Sequence, residues 1–264
     1  MYKFKDFIKS KNIDWFNLSK NPNAIHLLEK NLDKINWYYL SENPSAIHLL
    51  EQNPDKIVWD CISLNSNAIH IIENNLDKIN WNMLSLNPNA IHILENNMDK
   101  VNWSRLSENP NAIHILEENP ENIDWGWLSL NPNAIHILEK RLDKVNWERF
   151  SSNCNAIHIL ENNLDKIDWY WLSENPNAIH LLEQNMNNIY WDCVSLNSNA
   201  IHILEKNPDK VNWCWIFENP NIFEYDYEGM KETIAVFKEE LIAAVFHPRR
   251  VIRWIEWGYD PSEM

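Results

Sequence analysis

Nine histidines, His26 through His202, recur every 22 residues, and each is followed three positions later by a glutamate. Imidazole titrates nearest neutral pH and is the commonest protein ligand for transition metals, so the column raises metal binding and pH sensing as chemistries. Spacing argues against the metal. Equivalent residues on stacked helices stand about 8–10 Å apart, whereas zinc holds its ligands at about 2 Å. The expected role is structural, with each histidine bonded to the glutamate three residues on or to the neighbouring repeat, and a pH switch is the functional alternative. Cys61, Cys154, Cys193 and Cys214 show neither CxxC nor framework spacing, which suits a reducing compartment and a cytoplasmic protein. His247, Arg249, Arg250 and Arg253 fall outside the periodic pattern. They are a candidate secondary basic patch for an acidic partner, or a solvated helix face. Acid, base and nucleophilic groups nowhere meet at a unique point, so no catalytic residue, cofactor or metal site is expected and the chain does not read as an enzyme.

The elements that carry these residues follow from the period. Tryptophan stands at 15, 37, 59, 81, 103, 125, 147, 169, 191 and 213, and alanine at every 22nd position from Ala24 to Ala200. An unbroken short period marks an array whose units bury their apolar faces against their neighbours. The expected fold is all-α, an α-solenoid of about ten 22-residue two-helix repeats over residues 13–221. A cap over residues 1–12 and a C-terminal helical cap over 222–264 are expected to close its ends. With only three glycines the array should be extended and stiff. A formal charge of −15 disfavours a phosphate backbone, so nucleic acid is not an expected partner. The N-terminus lacks the apolar core of a secretory signal and no apolar run is long enough for a membrane span, so no membrane role is expected.

Within a unit, Asn21 before Pro22 offers a cap and a first helical residue for the second helix, and the Asp or Asn usually found before each Trp offers a cap for the first. Asn31 suits a left-handed end to the second helix. Trp37, Leu40 and Ser41 share one face of the first helix and are expected in the core, with the Ser and Ala columns marking close approaches. Leucine-rich repeats share the period, but AIHLLE lacks the alternation a strand requires. In the tenth unit Ser gives way to Phe217 and the Ala-Ile-His triplet to Ile222, Phe223 and Glu224, so the repeat decays there.

The units NPNAIHLLE, LDKINW and WYWLSENPNAIH resemble the short Asn- and Ile-rich helical tandem repeats of giant DNA viruses of amoebae. The resemblance covers about residues 13–221. It implies a non-enzymatic α-solenoid made in an infected host cell's cytoplasm, and it carries over no catalytic residue.

The two residues after each Trp vary most among the units. The second of them lies about 200° round the helix from the Trp, and the residue after Ser about 140°, both away from the Trp, Leu and Ser face. There Tyr39, Met83, Trp127, Trp171 and Trp215, with Leu86 and Leu130 beside them, form an apolar stripe. It is either a candidate partner-binding surface or packing between repeats. Residues 37–70 nearly recur at 169–202, so part of the pattern reflects duplication of a block. The expected function is a repeat scaffold for protein–protein interaction, with self-association possible; a structural or virion-associated assembly protein is the alternative.

Overall fold

The computed structural model describes residues 2–232, 234, 235 and 238, and is mostly helical, with helices recurring about every 11 residues. Residues 6–222 form one compact unit and the described residues flanking them a second. A representative repeat runs through a first helix, Trp103–Glu108, a second, Ile113–Glu118, and a 3-10 turn, Pro120–Asn122. Asn102 caps the first helix by accepting from the Arg105 amide, and Asp14, Asn36, Asn80, Asp124, Asn146 and Asp168 do the same in their units. Val58 and Tyr190 leave this cap unmade.

The repeats are joined by short polar side chains bonded to backbone. Asn109 has two amide hydrogens, which go to the carbonyls of Ser85 and Asn87 in the preceding unit at 3.0 Å, while its Oδ1 accepts from Asn111 N. The same pair of donations is made by Asn43, Asn65, Asn87, Asn131, Asn153, Asn175, Asn197 and Asn219. Asn111 adds a bond to Pro88 O at 2.8 Å. Ser107 Oγ donates back to Trp103 O and accepts from the Asp124 amide of the next unit at 3.0 Å. The Asn109 and Ser107 columns are buried, yet the side-chain donors and acceptors they bring are used, which is the condition for burying amides and hydroxyls at no net penalty. Leu106, Ala112 and Leu116, also fully buried, fill the space between them.

The array does not end as an open rod. Asn21, in the first unit, donates to Phe217 O and Asn219 O of the tenth at 2.9 Å, and Asn23 donates to Pro220 O. The repeats therefore close into a ring. At this seam Phe217 replaces the serine, and the lost bond is offset by Asn17 Nδ2 donating to Cys214 O and by a Lys20–Glu218 ion pair at 3.5 Å. What reads in sequence as decay of the repeat is the chemistry of the closing joint. Residues 6–11 belong to the ring too: Ile8 is buried, and Phe7 and Lys11 cover Trp213.

Two local expectations need correction. All ten periodic tryptophans are half-buried rather than in the core. All but Trp213 open the first helix of their unit, and Lys34, Lys78, Lys100 and Lys166 lay their ammonium groups over Trp15, Trp59, Trp81 and Trp147 at 4.5–4.9 Å. Asn31 has φ −140°, not a left-handed value, and its amide instead bonds back to Leu27 O. The histidines bond across seams, as in His48 Nε2 to Glu29 Oε1 at 2.6 Å, and the pattern repeats through His202 and Glu183. A carboxylate only accepts, so Nε2 carries the proton in each pair.

In the flanking unit, β1 (Tyr2–Phe4) pairs antiparallel with β2 (Phe223–Tyr225), and Tyr2 stacks on Tyr225 and Phe4 on Phe223. Residues 227–232 are helical, opened by Asp226, whose carboxylate accepts from Gly229 N. The later part of the expected C-terminal helical cap, with Arg249, Arg250 and Arg253, lies outside the described residues.

Replacing Asn109 with Ala orphans the buried Ser85 carbonyl and leaves Asn87 O with the Ala90 amide alone, and should cost about 1–3 kcal/mol, the penalty of one unpaired buried group. In a closed ring, Asn21→Ala should cost as much. Denaturant unfolding of both variants checks this, and an Asn21→Ala midpoint equal to wild type would show the ends apart.

Candidate binding surface on the inner side of the ring

The first helices place two variable columns next to each other. One, the second residue after each Trp, runs through Asn17, Tyr39, Cys61, Met83, Arg105, Trp127, Arg149, Trp171, Cys193 and Trp215; the other, after each Ser, includes Lys20, Glu42, Leu86, Glu108, Leu130, Glu174 and Glu218. Glu174 feels the charge of Glu218, Glu218 that of Glu42, and Glu108 that of Arg149. Each of these partners lies two repeats away. In a ring, second neighbours come closest on the concave side, so these columns line the inner face.

Every residue of the expected stripe is half-buried: Tyr39, Met83, Leu86, Trp127, Leu130, Trp171 and Trp215. The structure brings them onto one face, where they also pack against neighbouring units. Tyr39 meets the edge of Phe16 at 4.5 Å between ring centres, and Trp171 Nε1 donates to Glu148. Trp127 is flanked by two guanidinium groups, Arg105 at 4.5 Å and Arg149 at 3.9 Å. Gly126 leaves room for this arrangement, because a Cβ there would lie 3.4 Å from the Arg149 guanidinium and 3.3 Å from Asp124 Oδ1. Such cation–π contacts are worth about 0.5–2 kcal/mol each.

Sequence reasoning passed over the polar half of this face. Burial raises the pKa of Glu108, against the pull of Arg105 and Arg149, and its Oε2 has no hydrogen-bond partner. Burial likewise raises Glu174 and Glu218, the first further by the charge of Glu218, the second against the pull of Lys20. Cys61 and Cys193 are buried in the first column; burial raises both thiols, Cys193 to about 11. The Tyr38 and Tyr170 hydroxyls hydrogen-bond these sulfurs and rise in turn. The signal was present in the columns themselves, where carboxylates and guanidinium groups stand at the same register as the aromatic residues.

Among the described residues no group of three or more His, Cys, Asp or Glu side chains is placed to hold a metal ion, and no helix is long and apolar enough to cross a membrane. No family model, curated protein or solved structure matches the chain.

The raised carboxyls give a signed pH dependence. An acid whose folded pKa lies above its unfolded value is harder to ionise when folded, so it lowers stability as pH rises past the unfolded value, and the penalty vanishes in acid. Glu174→Gln should therefore raise the melting temperature at pH 7, with the gain shrinking as pH falls toward about 4.5, the ordinary carboxyl range. A lowered melting temperature at pH 7 would contradict this picture of the inner face.

Proposed function

We propose that this protein is a non-enzymatic scaffold that binds a protein or extended peptide through the inner-face stripe. One observation carries the reading. A framework of buried Asn, Ser, Ala and Leu repeats with little change, while the columns it displays, half-accessible except at Asn17, Cys61 and Cys193, mix aromatic rings, guanidinium groups and carboxylates from unit to unit. A constant scaffold beneath a varied surface of aromatic and Arg side chains is the arrangement that recognition uses. The free cysteines fit action in a reducing compartment, and the cytoplasm is the proposed location. Assembly by head-to-tail stacking of repeats is less favoured, because the first and tenth units already satisfy each other.

The double substitution Trp127→Ala and Trp171→Ala tests the proposal. Partners recovered from cell extract with the wild-type ring and identified by mass spectrometry should be lost, with affinity falling by at least about 2 kcal/mol if both are anchors. The melting temperature should fall only modestly, since both rings are half-exposed. Loss of folding with no separable binding defect would reassign the stripe to packing between repeats.

A further inference from the structure

One rim of the ring carries a belt of aliphatic side chains. The two helices of a unit run antiparallel, since Trp103, which opens the first, and Glu118 and Asn119, at the end of the second, line one groove. The turns after the second helices therefore gather at one end of the helices, and the NPNA turns at the other. Inner-face charges come from both ends of the first helices, Arg149 near a start and Glu108 at an end, so these helices run from rim to rim. The turns after the second helices make up one of those rims.

Each of these turns opens on leucine, methionine or proline, in all nine full units from Leu32 to Pro208, and Ser10 takes the tenth place. Eight of the nine are exposed and Met98 is half-buried. Leu32 and Leu164 keep 47% and 55% of their surface in water. Residues that served only to cover the neighbouring tryptophans would be buried by them. Beside the belt the seams open into grooves, one of about 340 Å³ at Pro54 and Trp59 and one of about 500 Å³ at Met98 and Trp103. Aliphatic projections there alternate with recesses at the interval of one repeat. The opposite rim exposes asparagines and Ser45 instead.

The charges of the aliphatic rim nearly cancel. Seven of the nine turns continue with an aspartate and a lysine, and the other two read Glu121–Asn122 and Asn187–Asn188, so the rim holds eight acids and seven lysines while the chain stands at −15. The second helices, which form the outer wall, instead add a glutamate in each of nine units, from Glu29 to Glu205. Two copies meeting through their outer walls would repel, whereas through this rim they do not. The interval of the belt points to the same partner. Whatever covers it all the way round must present contacts on a circle of the same radius and at the same spacing, and a second ring does so by construction. We propose that the aliphatic rim is the contact between two copies of this protein, paired face to face about a two-fold axis. The opposite rim lacks the belt, so the contact closes at a dimer and does not extend into a filament. It joins complete rings, and it stands independently of what the inner face binds.

Sedimentation equilibrium of the full chain over about 1–100 µM should show a 31.5 kDa species giving way to one of twice that mass, with a dissociation constant on the order of 10 µM. Leu32→Glu, Leu142→Glu and Leu164→Glu together remove apolar surface from the belt and add like charge to it, and should weaken pairing at least about a hundredfold. Gln52→Glu, Asn74→Glu and Asn162→Glu add the same charge to the outer wall and should change it by no more than about threefold. All six side chains are exposed, so both variants should melt close to wild type. In wild type itself, the Leu32 and Leu164 methyl resonances should shift between dilute and concentrated samples while the His92 and His158 imidazoles hold still. A single 31.5 kDa species throughout, pairing that survives in the belt variant, equal loss in the outer-wall variant, or leucine methyls that hold still as the mass doubles would each overturn the proposal.

Discussion

Everything in this ring depends on one interaction: a buried asparagine amide whose two hydrogens reach two carbonyls of the preceding unit. In a sheet, neighbouring chains are joined by backbone groups alone. Here the second unit's side chain reads the first unit's backbone, at a position where the chain leaves one helix and its carbonyls are not used within it. The bond pair fixes both spacing and orientation between units, because an amide is planar and its two hydrogens diverge at a set angle. Serine and the second asparagine of each NPNA turn add to the same seam, and the leucines and alanine fill what remains. Shifting a unit along its neighbour would leave several buried polar groups unpaired at once, so the register is strongly specified.

A fixed relation between identical neighbours, repeated, must generate either an open superhelix or a circle. The closing bonds of Asn21 show that ten units complete a circle. No terminal unit then has to cover an exposed apolar face, which is the usual weakness of repeat arrays. The joint is also where the sequence departs furthest from the repeat: Asn17, Lys20, Phe217 and Glu218 replace the ordinary serine link with a side-chain amide and an ion pair.

Much of this was legible in the sequence. The period, the two helices, the Asp and Asn caps and the close-packed Ser and Ala columns all follow from spacing and local propensity. Closure was not, because it depends on a small rotation per unit that no local pattern encodes; Phe217 looked like loss of the motif when it is part of the joint. Tryptophan was misplaced for a related reason. Its regularity suggested core, but regularity also arises where each ring meets a lysine from the next turn, as Trp15 meets Lys34. Asn21 was read as a helix cap, which it is, and its two hydrogens were left unassigned. The inner stripe reads as apolar from Tyr39, Trp127 and Trp171, yet Arg105, Glu108 and Arg149 share the same columns.

The account rests on closure, and a distance between the first and last units tests it most directly. Phe16 and Cys214 are exposed and occupy equivalent places in those units. With Cys154 replaced by Ser, spin labels at Cys214 and at Phe16→Cys should show a separation within roughly 20 Å, about two helix spacings, and matching that of a neighbouring pair such as Asp60→Cys with Asn82→Cys. An open array of such units would hold the two labels about 70–90 Å apart, and a distance in that range would contradict the ring.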